Sequence, residues 1–375
     1  MSGSLRATGV VTLFLCGDVM LGRGVDQILP HPGEPELRET HVRDARGYVD
    51  LAEAANGAIP RPVDFSWPWG DALRVLDEAA PDVRVLNLET SITGSDDFAP
   101  GKAVHYRMSP ANVPCLAAVR PDACVLANNH VLDFGRRGLE ETLHALSGAG
   151  LPAVGAGRDA AEARRPATIP VDAATRVLVF AVGTGSSGIP LDWAATEGRS
   201  GVELLTELSD TAAAEIAGRV RQARRPGDLA VVSVHWGANW GYAVPGDQVS
   251  FGHALVDRGV DIVHGHSSHH PRPVEVYRGK LVLHGCGDFV DDYEGIGGHE
   301  DYRPDLRLVY LVSVDRDTGR LAGLRMVPMQ ARQLRLRRAS AEDSRWLAGT
   351  LDRVSHRLGS RVGVEPDGAL VLRGS

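Results

Sequence analysis

The feature that most constrains this chain is an alternation. Short apolar, β-branched runs at residues 10–16, 83–88, 122–127, 152–155, 176–182, 228–234 and 260–264 are separated by segments with apolar residues at helical spacing. Strands that alternate with helices pair through crossovers, which predicts parallel sheets with helices on their faces. The helical segments are "WGDALRVLDEAA", "GRRGLEETLHALSGAG", "LSDTAAAEIAGRVRQARRPGD" and "QVSFGHALVDRG", and three of the four stop at Gly or Pro-Gly. After residue 270 the texture changes. "PVEVYRGKLVLHG" reads as a hairpin turning at Arg278-Gly279, and "LRLVYLVSVD" with "GLRMVPMQARQL" continues an antiparallel pattern. A helix near 341–357 and a short strand close the chain, while residues 30–66 read as a long irregular insertion.

A chain of 375 residues holds either two domains or one large α/β unit. One domain over residues 1–330 is expected, with the helix and strand of 331–375 packed on it. With a net charge of −8 and no basic stripe beyond "RQLRLRR" at 332–338, which reads as a solvated strand edge, nucleic acid is not an expected partner. Cys16, Cys115, Cys124 and Cys286 lie far apart and form no C-x-x-C pair, which speaks against a zinc knuckle or redox motif and suits a reducing cytoplasm. The run at 10–16 leads into Gly17-Asp18 rather than a small-residue cleavage site, so it reads as a buried strand. No run approaches the roughly 18 apolar residues of a membrane span.

In open α/β sheets ligands bind beyond the carboxyl ends of the strands, so the residues just after each apolar run face the site. Five runs end in metal-binding chemistry: Asp18; Asn87 and Glu89; Asn128, Asn129 and His130; His235; and His264, His266, His269 and His270. Singly, each has an ordinary reading. Asp18 could be a turn residue or helix cap, His235 a hydrogen-bonded core histidine, and the histidine cluster a polar loop. Five strands ending alike imply a shared partner, because buried polar groups of this kind need a cation to offset their desolvation. Mixed Asp, Glu, Asn and His without thiolate suits Mn²⁺, Fe²⁺ or Zn²⁺, and six or more donors exceed one tetrahedral ion. Two divalent metals about 3.5–4 Å apart, bridged by a carboxylate, would use them all.

"GDVMLGR", "NLETSIT", "ANNHVLDFG", "HWGANW" and "GHSSHHPRPVEVYRGKLVLHGCGDFVDDY" resemble the CapA-type poly-γ-glutamate biosynthesis proteins, over residues 10 to about 315. The resemblance implies the calcineurin-like metallophosphoesterase fold, a four-layer α/β/β/α sandwich with a dinuclear metal site. In that fold's Gly-Asn-His signature the amide is a ligand and the imidazole a catalytic acid, which maps onto Asn129 and His130. Asp18 resembles the first carboxylate ligand, Glu89 takes the place of the bridging aspartate, and His235 resembles the histidine after the fourth core strand. The last motif departs from the pattern: with His266-Ser267-Ser268-His269, either His269 or His270 could follow His266 as ligand. Asp288 replaces the family's usual Asn in "GCGDFVDD".

The capsule role implies an anchored or exported protein, whereas some soluble relatives of this kind are peptide epimerases in lasso-peptide biosynthesis. The leading expectation is therefore metal-dependent epimerisation at the C-terminal Cα of a peptide. Two-sided proton exchange needs an acid and a base on opposite faces of Cα. His130, Asp18 and a loop residue such as His299 are available, and Asp133, three residues after His130, completes the candidate set. The alternative is a hydrolase or capsule-type biosynthetic enzyme on the same metals, acting on a peptide or small molecule. A non-catalytic metal-binding module is the third possibility.

Overall fold

The computed structural model describes residues 9–373. The first apolar run forms a longer strand than expected, Val10–Val19, which continues through Gly17-Asp18. It is central to the first sheet. Val83–Leu88 pairs with it in parallel on one side, and Leu306–Asp315 pairs antiparallel on the other. Ala123–Val125 and Ala153–Val154 extend the parallel half. Leu321–Ala331 and the terminal hairpin Arg361–Val364 with Leu370–Arg373 extend the antiparallel half. The short strand Asp288–Val290 pairs in parallel with the carboxyl end of Val10–Val19.

The second sheet runs Arg176–Thr184, Leu229–His235, Ile262–His266 and Lys280–Leu283, all parallel. Val274–Tyr277 closes its edge as the antiparallel arm of the expected hairpin. Arg278 and Gly279 have φ of 49° and 78°, the positive pair that a two-residue type I′ turn requires.

Side-chain alternation sorts the layers. Leu13 and Leu15 point into an inter-sheet core with Val85, Val125, Val179, Val231 and Ile262, while Phe14 and Cys16 face an outer core built with Val75, Leu76, Leu139 and Leu143. On the far side, Phe180, Val232 and Val263 pack against Ile216, Val220, Phe251 and Leu255 from helices Asp210–Ala223 and Gly246–Asp257. The result is a four-layer α/β/β/α sandwich. Its central strands are covered on both faces, which is why they read as unbroken apolar runs.

Two segments differ from expectation. Residues 30–66 are not wholly irregular: Arg46–Asn56 is a helix that buries Tyr48, Val49 and Ala52, a three-residue stripe too short to stand out from its polar flanks. The chain also ends in a two-stranded hairpin rather than one strand. The helix Ala341–Ser355, capped by the Ser340 side chain, sends Leu347, Leu351 and Val354 into the inter-sheet core. Leu336–Arg338 pairs on the Leu321–Ala331 strand, with Leu336 buried and Arg337 and Arg338 exposed. Among the described residues, no helix is long and apolar enough to cross a membrane.

Candidate metal centre

Parallel register assembles the donors. Asp18 stands beside Asn87 on one neighbouring strand and beside Asp288 on the other, and His235 stands beside His266. The sheets are tied at this edge, where His264 Nε2 donates to the Cys16 carbonyl at 2.9 Å. Two groups of potential ligand atoms result, Asp18–His235–His266 and Asp18–His269–Asp288, and within each the atoms lie within 4.8 Å of one another. Asp18 belongs to both. Glu89 Oε1 lies 3.7 Å from His235 Nε2, and Asn129 Oδ1 lies 3.0 Å from the same nitrogen. All six expected ligands therefore converge on one region.

The residues fit a divalent cation. Asp18 Oδ2 and Asp288 Oδ2 are buried without any hydrogen-bond partner, an arrangement that costs free energy unless something positive meets them. Burial, then the Asp288 charge, pushes Asp18 up to about 7, and burial with Asp18 raises Glu89 as well. Burial would also raise Asp288, but His269, Arg307 and a hydrogen bond with Asp291 together hold that carboxyl low. Burial lowers His235 and His266, which leaves them neutral and able to donate a lone pair.

Hydrogen bonds behind the donors set their orientation. Because His264 Nε2 donates to Cys16, its Nδ1 accepts from the Ser233 hydroxyl (3.1 Å). The Ser233 oxygen can then accept from His266 Nε2 at 2.9 Å. His266 Nδ1 is left as a lone pair, 2.8 Å from His235 Nδ1 and 3.9 Å from Asp18 Oδ1. Such supports fix the tautomer of a ligating imidazole. Asn87 likewise donates to Asp18 Oδ1 at 2.7 Å and accepts from Asn128 at 3.1 Å.

His269 and His270 differ in their partners, and only His269 stands in a donor group. His269 Nδ1 lies 2.9 Å from Asp288 Oδ1. His270 has both nitrogens engaged elsewhere, with Nε2 accepting from the Gly241 amide at 3.1 Å and Nδ1 donating to the Pro271 carbonyl at 3.1 Å. Between His266 and His269 the chain turns through Ser267, at a φ of 100° that a non-glycine residue rarely adopts.

His130 is held from behind. Its Nδ1 donates to Asp133 Oδ2 at 2.6 Å, Lys102 Nζ pairs with Asp133 Oδ1, and the Tyr106 ring stacks on the imidazole at 3.7 Å. Nε2 is thereby directed forward, 3.8 Å from Glu89 Oε1. Burial lowers His130 to about 3 despite the Asp133 charge.

His299 is in neither donor group, though its stacking partner Trp240 lies 5.4 Å from His269. It is exposed and stacks on Trp240 at 3.8 Å. Its Gly-rich neighbourhood gave the sequence no means of placing it.

Several site residues were not anticipated. Lys102 and Tyr106 lie on a loop with no motif of its own, and Tyr106 shares a hydrogen bond with the Tyr293 hydroxyl. Buried Arg23 donates to Asp292 and Glu39 and lies 4.7 Å from the Tyr106 ring. Tyr293 sits inside the quoted "GCGDFVDDY", in which Asp288 stands out as a replacement of the usual Asn but not as a donor.

Residues 12–293 match the family described as bacterial capsule synthesis protein PGA_cap. The chain belongs to this family. It is 56% identical, over 96% of its length and 95% of the relative's, to a probable polyglutamine synthesis accessory protein of Mycobacterium tuberculosis. It is 29% identical to the PGA biosynthesis protein CapA of Bacillus subtilis, over 57% of this chain and 54% of that one. Among solved structures, the 5′-nucleotidase precursor of Thermus thermophilus aligns over 95% of this chain and 61% of its own, at 14% identity and a TM-score of 0.47.

Proposed function

We propose that this chain is a metal-dependent hydrolytic enzyme of capsule-type polymer synthesis, acting on an amide-linked glutamyl chain. The observation that carries the reading is the double membership of Asp18, which with Asp288 presents unpaired buried oxygens between two imidazole groups. Asp18, Glu89, Asn129, His235 and His266 would hold one divalent ion, and Asp18, His269 and Asp288 a second. Bound ions would supply electrostatic stabilisation for negative charge developing on a substrate oxygen. His130 contributes the proton chemistry. With Nδ1–H held by Asp133, its Nε2 can take a proton from the attacking water and return it to the leaving nitrogen. The four cysteines are free and buried, in keeping with a reducing compartment.

Peptide epimerisation draws less support. It needs a second proton carrier facing His130 across a Cα; of the candidates, Asp18 belongs to both donor groups and His299 is exposed and stacked on Trp240. The relatives carry capsule-synthesis names.

The test is to load the protein with Mn²⁺ and incubate it with a γ-linked glutamate oligomer in H₂¹⁸O. Chain shortening with one ¹⁸O in each new carboxylate is expected. Deuterium at an α-carbon in D₂O without shortening would replace this reading with epimerisation, and neither change in a fully metallated protein would leave a binding module.

A further inference from the structure

Beside the metal centre, rings form a continuous wall. Trp240 lies 5.4 Å from His269 and stacks on His270 at 5.9 Å, and His270 meets Tyr242 edge-on at 4.6 Å. Tyr302 stacks on His270 at 4.6 Å and closes the wall. On its far side, Tyr242 borders a groove of about 350 Å³ whose apolar lining includes Pro273, Val354 and Leu358.

Two guanidinium groups line this groove, Arg353 and Arg357. Arg353 lies 5.4 Å from the Tyr242 ring. Among the described residues, neither arginine has a hydrogen bond or a carboxylate partner. That sets them apart from neighbours such as Arg361, paired with Asp352 at 2.8 Å, and Arg303, paired with Asp305 at 2.8 Å. Asp352 is committed to Arg361 and to the Val362 amide, so it does not neutralise the groove. A cation near the end of helix Ala341–Ser355 complements the helix dipole, which accounts for one charge there but not for two exposed, unpaired charges on one groove.

We propose that this groove is an anion subsite, in which Arg353 and Arg357 hold a carboxylate of an acidic chain whose reacting segment lies at the metal centre. The inference rests on the hydrolase reading for what occupies the metals, but the two arginines that define the subsite lie outside the segment 12–293 that matches the family. The three ring contacts between His269 and Tyr242 set its reach. An extended α-linked chain advances about 3.3–3.6 Å per residue with three backbone atoms; a γ-linked glutamate has five and advances roughly 5.5–6 Å, so about three residues span the path. Guanidinium pairs recognise carboxylates through charge-assisted hydrogen bonds, and an uncharged amide side chain at the same place forfeits that attraction. The substrate class is therefore a chain of free carboxylates rather than of side-chain amides.

The test measures binding of three probes to the Mn²⁺-loaded protein by calorimetry: a γ-linked glutamate octamer, the same octamer with its carboxylates amidated, and a γ-linked glutamate dimer too short to reach the groove. The octamer is expected to bind at least tenfold more tightly than either control. In the double variant Arg353→Gln/Arg357→Gln, with unchanged metal content and circular dichroism, that preference should fall to within about twofold. Equal binding of octamer and amidated octamer, or a tenfold preference that survives in the variant, overturns the subsite. Failure of the hydrolase reading is seen separately, as absent ¹⁸O incorporation in a protein that still discriminates the probes.

Discussion

Asp18 and Asp288 face each other in register on adjacent parallel strands, and one oxygen of each is buried with no hydrogen-bond partner. Burial first, and the repulsion of the neighbouring Asp288 charge second, push Asp18 up to about 7. The strand pairing nevertheless imposes the juxtaposition, which only a cation turns into an advantage.

Metal content should separate the two donor groups. Wild-type protein is expected to hold up to two divalent ions per chain. Asp18→Ala should lose both, whereas His235→Ala and His269→Ala should each lose about one, because each histidine belongs to a single group. Elemental analysis by mass spectrometry checks this, and unchanged content in all three variants would remove the dinuclear site.

His130 should behave as a proton carrier rather than a ligand. His130→Asn is expected to keep fold and metal yet lower turnover by roughly 10²–10⁴. Asp133→Asn should slow turnover in the same direction, since the amide no longer fixes Nδ1 as the protonated nitrogen. Loss of metal from the His130 variant would make it a ligand instead.

Gly17 should resist even the smallest side chain. A Cβ there would stand 1.7 Å from the carbonyl oxygen of Gly287, the residue just before the strand Asp288–Val290. Gly17→Ala should push those strands apart, destabilise the protein by about 1–3 kcal/mol or more, and reduce metal content. A variant with wild-type melting temperature and metal content would show that the strands have room to spare.

Glu275 offers a pH test away from the metals. Burial would raise its carboxyl, but bonds from His284 (2.9 Å) and His253 (2.6 Å) hold it below the ordinary value of 4.5. A depressed carboxyl contributes stability that is present above the unfolded value and is lost as pH falls through the folded one. Glu275→Gln should therefore cost about 1–3 kcal/mol at pH 7, with the gap to wild type narrowing below about pH 4.5. Urea unfolding at both pH values checks it, and a gap independent of pH would mean that the charge contributes nothing.

Much of this was legible in one dimension. Parallel strands covered on both faces must be continuous apolar runs, and a ligand site at their carboxyl ends must put polar residues directly after those runs. Asp18, Glu89, Asn129, His235 and His266 were therefore visible among the strand-end polar residues, and the family resemblance separated Glu89 from Asn87 and Asn129 from Asn128. The His130–Asp133 pair lies within four residues of chain, so its contact is local.

The rest needed three dimensions. Lys102, Tyr106 and Arg23 meet His130, Asp133 and Asp292 only because loops distant in sequence fold over the same sheet edge. His269 and His270 are adjacent and chemically identical, and the backbone turn at Ser267 with the partners on Gly241 and Pro271 decides which imidazole meets Asp288. The position of His299 was not legible, because a glycine-rich loop carries no periodicity from which to infer a direction and its stacking on Trp240 is a tertiary contact. The sequence by itself determined the layers and the strand-end donors, since burial and hydrogen bonding within strands act through local pattern. Which donors share a cation was left to strand register and loop packing, because proximity between residues distant along the chain exists only once the sheets have formed.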